Sequence, residues 1–95
     1  MSLHELLQVV DDEQSFLNFA RALMKDRINA VRAEKAVASS PYGPDAGGWE
    51  NTSIESFLES AIAWAEATNF GASQGIEENL WKRFAVFLYL GKIYE

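Results

Sequence analysis

The sequence predicts an all-α domain, a small bundle of three to four helices with one long Pro/Gly loop. Three observations predict it. Apolar residues recur at steps of three and four through most of the chain, and no segment alternates at period two for more than a few residues. Capping pairs stand where two of the periodic stretches begin. The 95 residues are 48% hydrophobic and include three Trp, three Tyr and six Phe, enough to furnish one core in a single domain spanning 1–95.

Ser2-Leu3-His4-Glu5 has the form of a capping box, in which Ser2 accepts from a first-turn amide and Glu5 reaches back. It opens a short helix, roughly Leu3 to Val9, that buries Leu3, Leu6, Leu7 and Val10. Asp11 and Asp12 interrupt that helix and supply the next N-cap, with Gln14 or Ser15 in the reciprocal position. From Glu13 to about Val37 the spacing predicts one long helix. Leu17, Ala20, Met24, Ile28 and Val31 step by three or four, and Phe16, Leu23 and Ala30 widen the stripe. Its second half has good helix formers but little large apolar surface, so it packs less firmly.

Ser39 to Asn51 reads as a loop: Pro41 and Pro44 each remove an amide, and Gly43, Gly47 and Gly48 admit positive φ. Thr52-Ser53-Ile54-Glu55 is the second capping box and starts the third helix. Ile54, Phe57, Leu58, Ala61, Ile62 and Ala65 mark its buried face, with Trp64 at the edge. Asn69-Phe70-Gly71 ends it through a left-handed cap at Asn69 or Gly71. The fourth helix is expected from about Ile76 to Leu90. It is apolar nearly all round, as a central element contacting more than one neighbour would be, with Gly91 as its stop and Ile93 and Tyr94 tucked in behind.

Several function classes drop out on composition. With no cysteine, the chain has no disulfide, thiolate nucleophile or Cys-ligated zinc, which suits a cytoplasmic protein. The N-terminus lacks the basic start and apolar core of a signal peptide, and no apolar run approaches the ~18 residues of a membrane span. A net charge of −6 argues against nucleic acid and is compatible with a basic protein partner. His4, the one histidine, reads as a surface residue with no second ligand or base partner. Asp11-Asp12-Glu13 lacks the glycine and closing glutamate of a calcium loop, and the helix macrodipole accounts for acidic residues there and at Glu77-Glu78. No catalytic, cofactor-binding or metal-binding residue is assigned, and an enzyme is not expected.

Charge is segregated. Arg21, Lys25 and Arg32 form a stripe on the second helix, and Glu55, Glu59 and Glu66 repeat the same spacing on the third, each beside its helix's apolar face. Either the stripes face each other, or one is exposed and steers a charged partner. The candidate partner surface is Tyr42, Asp45, Trp49, Glu50, Glu55, Glu59 and Glu66, an acidic face beside the 39–51 loop. Trp49 reads first as a staple closing that loop onto the core and second as an aromatic contact. These features predict a non-enzymatic protein-binding module, monomeric or homodimeric. The alternative is a small-molecule-binding or accessory domain with an aromatic-lined pocket of Tyr42, Trp49 and Trp64.

Trp49-Glu50-Asn51-Thr52, Phe57-Leu58-Glu59 and Trp64, followed by Trp81, Phe84 and a terminal Tyr94-Glu95, resemble the signature of a family of small bacterial all-α domains of unknown function. The resemblance covers roughly the C-terminal half. It implies a fold and no activity. In size and charge such domains are similar to immunity or antitoxin-like proteins, which makes an inhibitor of a basic partner the analogous role.

Overall fold

The computed structural model describes residues 1–36, 46–75 and 79–94. Over these the chain is helical: α1 (Leu3–Gln8), α2 (Glu13–Ala36), α3 (Ile54–Ala67) and α4 (Leu80–Ile93), with 3-10 turns at Ala46–Gly48 and Ala72–Gln74. The heart of the Pro/Gly loop, and the segment 76–78 expected to open the last helix, lie outside the described residues.

The caps explain where each helix starts. Ser2 and Glu5 form the expected box on α1. At α2 the reciprocal partner is Ser15. Its amide donates to Asp12 Oδ1 at 2.8 Å, and its hydroxyl oxygen accepts from the Asp12 amide at 3.1 Å. At α3 the box sits one residue later than the sequence suggests, on Ser53 and Ser56. Thr52 is then free to offer its carbonyl to Arg27 across the fold at 3.3 Å. The α4 cap is Asn79, whose Oδ1 accepts from the Lys82 amide while Nδ2 donates to the Asp11 carbonyl, pinning α4 to the α1–α2 junction.

The α3 terminus takes three consecutive left-handed residues: Asn69, Phe70 and Gly71, with φ of 51°, 54° and 88°. A bulky residue there is strained, and the surroundings hold it in place. The Phe70 amide donates to the Ala65 carbonyl at 2.7 Å, its carbonyl accepts from Arg83 Nε at 2.8 Å, and its ring stacks on Phe87 at 5.4 Å.

α4 is the central element, packed against each of the other three helices. Its neighbours bury Phe19, Leu23 and Ala30 from α2, Ala61 and Trp64 from α3, and Leu7 and Val10 from the α1 region. Two expected stripes are therefore rotated. On α2 the core is centred on Phe19, at 0% exposure, whereas Leu17, Met24 and Ile28 face solvent. On α3 it is centred on Trp64, whereas Ile54, Leu58 and Ile62 are exposed. The physical reason is the position of α4. α2 and α3 each turn inward toward it, and the outer half of each apolar stripe stays exposed.

Gly91 is not a stop. It lies inside α4, where a Cβ would stand 2.7 Å from the Phe57 ring, so glycine permits the closest approach of α3 to α4. Gly91→Ala gains about 1 kcal/mol of helix propensity but overpacks this contact, at a cost of about 1–3 kcal/mol. We expect a lower denaturant midpoint with an unchanged slope in urea unfolding.

The capping carboxylates also set a pH dependence. Glu5 is held below the ordinary carboxylate range by hydrogen bonds from the Ser2 backbone and then its hydroxyl, and Asp12 by the corresponding bonds from Ser15. Glu55 is lowered by its own backbone amide and then by Ser53. A carboxylate lowered on folding stabilises above its unfolded pKa, and that stabilisation is lost as pH falls through the folded value. The thermal midpoint is therefore expected to fall between about pH 5 and pH 2. Circular dichroism melts of the wild type against a Glu5→Gln, Asp12→Asn double variant, whose profile should be flatter, check it.

Candidate functional site

The signature segment does its work at the end of α4. The Glu50 amide donates to the Lys92 carbonyl at 3.0 Å, and Asn51 Nδ2 donates to both the Gly91 and Tyr94 carbonyls at 2.9 Å. These bonds satisfy carbonyls that the helix terminus leaves unpaired. Trp49 turns inward, 4% exposed, and its indole Nε1 donates to Asp26 Oδ2 at 2.9 Å. The same oxygen accepts from Lys92 Nζ at 2.7 Å. Arg27 and Lys92 bring their cations to 5.2 and 5.5 Å from the Trp49 ring centroid, and Phe57 stacks on it at 6.1 Å. Trp49 is thus a buried anchor and is corrected as a member of an exposed partner surface. Its two polar contacts, to α2 and through Lys92 to α4, keep the ring inside.

Above this anchor lies a groove of about 430 Å³ between α2 and the start of α3. Leu23, Trp49 and Phe57 form its buried or half-buried floor, and Met24, Ile54 and Leu58 rise as exposed walls. Beyond Leu58, the outer face of α3 carries Ile62 among Glu55, Glu59 and Glu66, and all three glutamates border one shallow depression there. The structure thus brings together the three acidic residues expected on α3, and they are exposed. Glu50 is also exposed, and its backbone is tied to α4. Tyr42 and Asp45 lie outside the described residues. Trp64 packs against Phe70 and donates to Gln74 Oε1 at 2.9 Å, away from the Trp49 groove.

The two charge stripes do not pair. Arg21, Lys25 and Arg32 are exposed on α2, and no ion pair joins them to Glu55, Glu59 or Glu66 among the described residues. His4 sits on exposed α1, 3.1 Å from the Gln8 amide nitrogen. Among the described residues no group of His, Asp and Glu is placed to hold a metal ion, and no helix is long and apolar enough to cross a membrane. The exposed apolar walls, Met24, Ile54, Leu58 and Ile62, are the residues the sequence pattern assigns to the core. Their signal was the width of the stripe, which on two helices exceeds what one central helix can cover.

Residues 12–95 match the model of a family of unknown function, DUF7660. The chain belongs to that family. The match takes in α2 as well as the signature half of the chain. No curated protein and no solved structure matches the chain.

Asp26 is the residue on which this site depends. Asp26→Ala leaves the Trp49 indole and the Lys92 ammonium without their acceptor. Asp26 is 29% and Lys92 10% exposed, so the full cost of breaking a buried pair is discounted to about 2–3 kcal/mol. Urea unfolding measures it. Asp26→Asn, which keeps an acceptor for the indole, is expected to lose less.

Proposed function

We propose that this member of the DUF7660 family is a non-enzymatic protein-binding module whose contact surface is the outer face of α2 and α3. The observation that carries the reading is the exposure of large apolar side chains in one continuous face. Met24 and Ile54 are 55% and 77% exposed, and Leu58 and Ile62 stand beside them. A lone exposed leucine means little, but a contiguous apolar patch rimmed by charge marks an interaction surface. The floor of the patch is rigid, because Trp49 is fixed by Asp26, and a preformed floor reduces the ordering cost of binding. The acidic rim of Glu55, Glu59 and Glu66 favours a partner that presents positive charge, since rim charges act on encounter rate and choice of partner.

Leu58→Glu tests the reading, because a half-exposed position tolerates the change without unfolding. Tagged wild-type chain incubated with extract of its host cells is expected to retain a protein, a second copy of itself included. Leu58→Glu is expected to weaken that retention at least about tenfold, or 1.4 kcal/mol, with an unchanged thermal midpoint. Equal retention by both chains, at equal stability, would remove this face as the contact surface.

A further inference from the structure

Across the α2–α3 face the side chains follow a fixed order. At about 100° per residue, Arg21, Lys25 and Arg32 follow the Leu17–Met24–Ile28 stripe on the side away from Leu23. On α3, Glu55, Glu59 and Glu66 follow Leu58 and Ile62 on the side away from Phe57. From one edge to the other the face therefore reads basic rail, apolar stripe, groove with the half-buried Arg27 in its lining, apolar stripe, acidic rail. Each rail is exposed, and the two rails stand on opposite sides of the groove with no ion pair between them among the described residues.

We propose that the occupant of this face is the same face of a second copy of the chain, related by a two-fold axis lying along the groove. This rests on the reading of the face as a protein-binding surface. Rotation by a half-turn about that axis turns the second copy face-down and reverses its edges. The basic rail of each copy then meets the acidic rail of the other, twice over, as an isologous contact requires. The Met24 and Ile28 stripe lies on the Leu58 and Ile62 stripe of the second copy. α2 and α3 of both copies close a four-helix arrangement whose centre is the groove, filled by Met24, Ile54 and Leu58 from each side. A two-fold axis across the groove instead would set basic on basic and acidic on acidic, and like charges at a contact cost several kcal/mol.

Size is compatible. The molecule is a flattened slab of 41 × 27 × 18 Å. A stable interface needs about 800 Å² from each partner, less than the product of the slab's two longer dimensions. Removing exposed apolar side chains from water supplies the favourable contact. The rails then set register and partner more than strength.

Charge reversal distinguishes this arrangement from any contact that does not pair the basic rail with the acidic one. Arg21→Glu with Lys25→Glu makes both rails acidic, and Glu59→Lys with Glu66→Lys makes both basic. All four positions are exposed, and none is in a cap. Sedimentation equilibrium across roughly 10–500 μM is expected to show the wild type passing from 10.6 kDa toward twice that mass. Each double variant alone is expected to remain monomeric, and an equimolar mixture of the two to recover the dimer. Circular dichroism confirms folding of each variant. Should either fail to fold, concentration-dependent amide shifts of the wild type, confined to residues around Met24, Ile28, Leu58 and Ile62, carry the same test.

A wild type that stays monomeric throughout overturns the proposal. So does a wild-type dimer that both double variants leave intact, since it would use another face. If the wild type is monomeric yet Leu58→Glu still loses a captured host protein, the second copy is excluded and the binding surface stands. If neither self-association nor that loss is seen, both readings fail.

Discussion

One carboxylate organises the molecule. Asp26 Oδ2 accepts from the Trp49 indole at 2.9 Å and from the Lys92 ammonium at 2.7 Å, joining α2, the segment before α3 and the last turn of α4 through a single atom. A buried ion pair is weak evidence for net stability, because desolvating both charges offsets much of their attraction. Asp26 is also partly open to water. Its importance is positional. It is made from residues 66 apart in the chain, and it fixes the plane of the Trp49 ring against Phe57. The neighbouring bonds from Glu50 and Asn51 to the α4 terminus then follow at short range. Breaking any one of them loosens a loop. Removing the carboxylate leaves two donors unsatisfied in the place where three segments meet.

Much of this was legible in the sequence, and the illegible part has a physical cause. The all-α class, the four helical stretches, the Ser2–Glu5 box and the centrality of the last helix follow from periodicity and caps, which are local. The Thr52 box was misplaced by one residue because Thr52, Ser53, Glu55 and Ser56 offer two overlapping capping pairs. In the fold the box forms on Ser53 and Ser56, and the Thr52 carbonyl accepts from Arg27 across the molecule. Gly91 reads as a terminator in one dimension and is a close-approach residue in three, because its neighbour is Phe57 from another helix. Asp26 could not be read as a node at all. Among the charges of α2 nothing local separates it from Glu34. Of the candidate surface, helical spacing alone assembles Glu55, Glu59 and Glu66, whereas Trp49 admits two sequence readings, a staple onto the core and an aromatic contact, and its bond to a partner 23 residues away goes with the first.

The rotated stripes connect fold to function. A helix of a small domain commonly shows an apolar arc of about 100° or a little more, matched to one neighbour. α2 and α3 carry wider arcs, and α4 accepts only the inner half of each. In a 95-residue chain, where surface is large relative to volume, leaving Met24, Ile54, Leu58 and Ile62 in water forfeits burial that the core could have used. It is this exposed apolar area that the proposed contact surface would cover.

In the proposed self-contact, charge acts in two opposed ways. Copies of net charge −6 repel one another at long range, which by itself opposes self-association. That repulsion is screened beyond about 10 Å at 0.1 M salt, whereas rails in contact act at a few ångströms. Within the face the two exposed stripes are sorted, Arg21, Lys25 and Arg32 along α2 and Glu55, Glu59 and Glu66 along α3, with apolar side chains and the half-buried Arg27 between them. A sorted face recognises its own complement. For two surfaces laid together along parallel grooves, the complement of basic-apolar-acidic, viewed from the opposite side, is the same sequence of features turned over. An axis across the groove sets like charge against like, and the proposed axis along it sets each charge against its opposite.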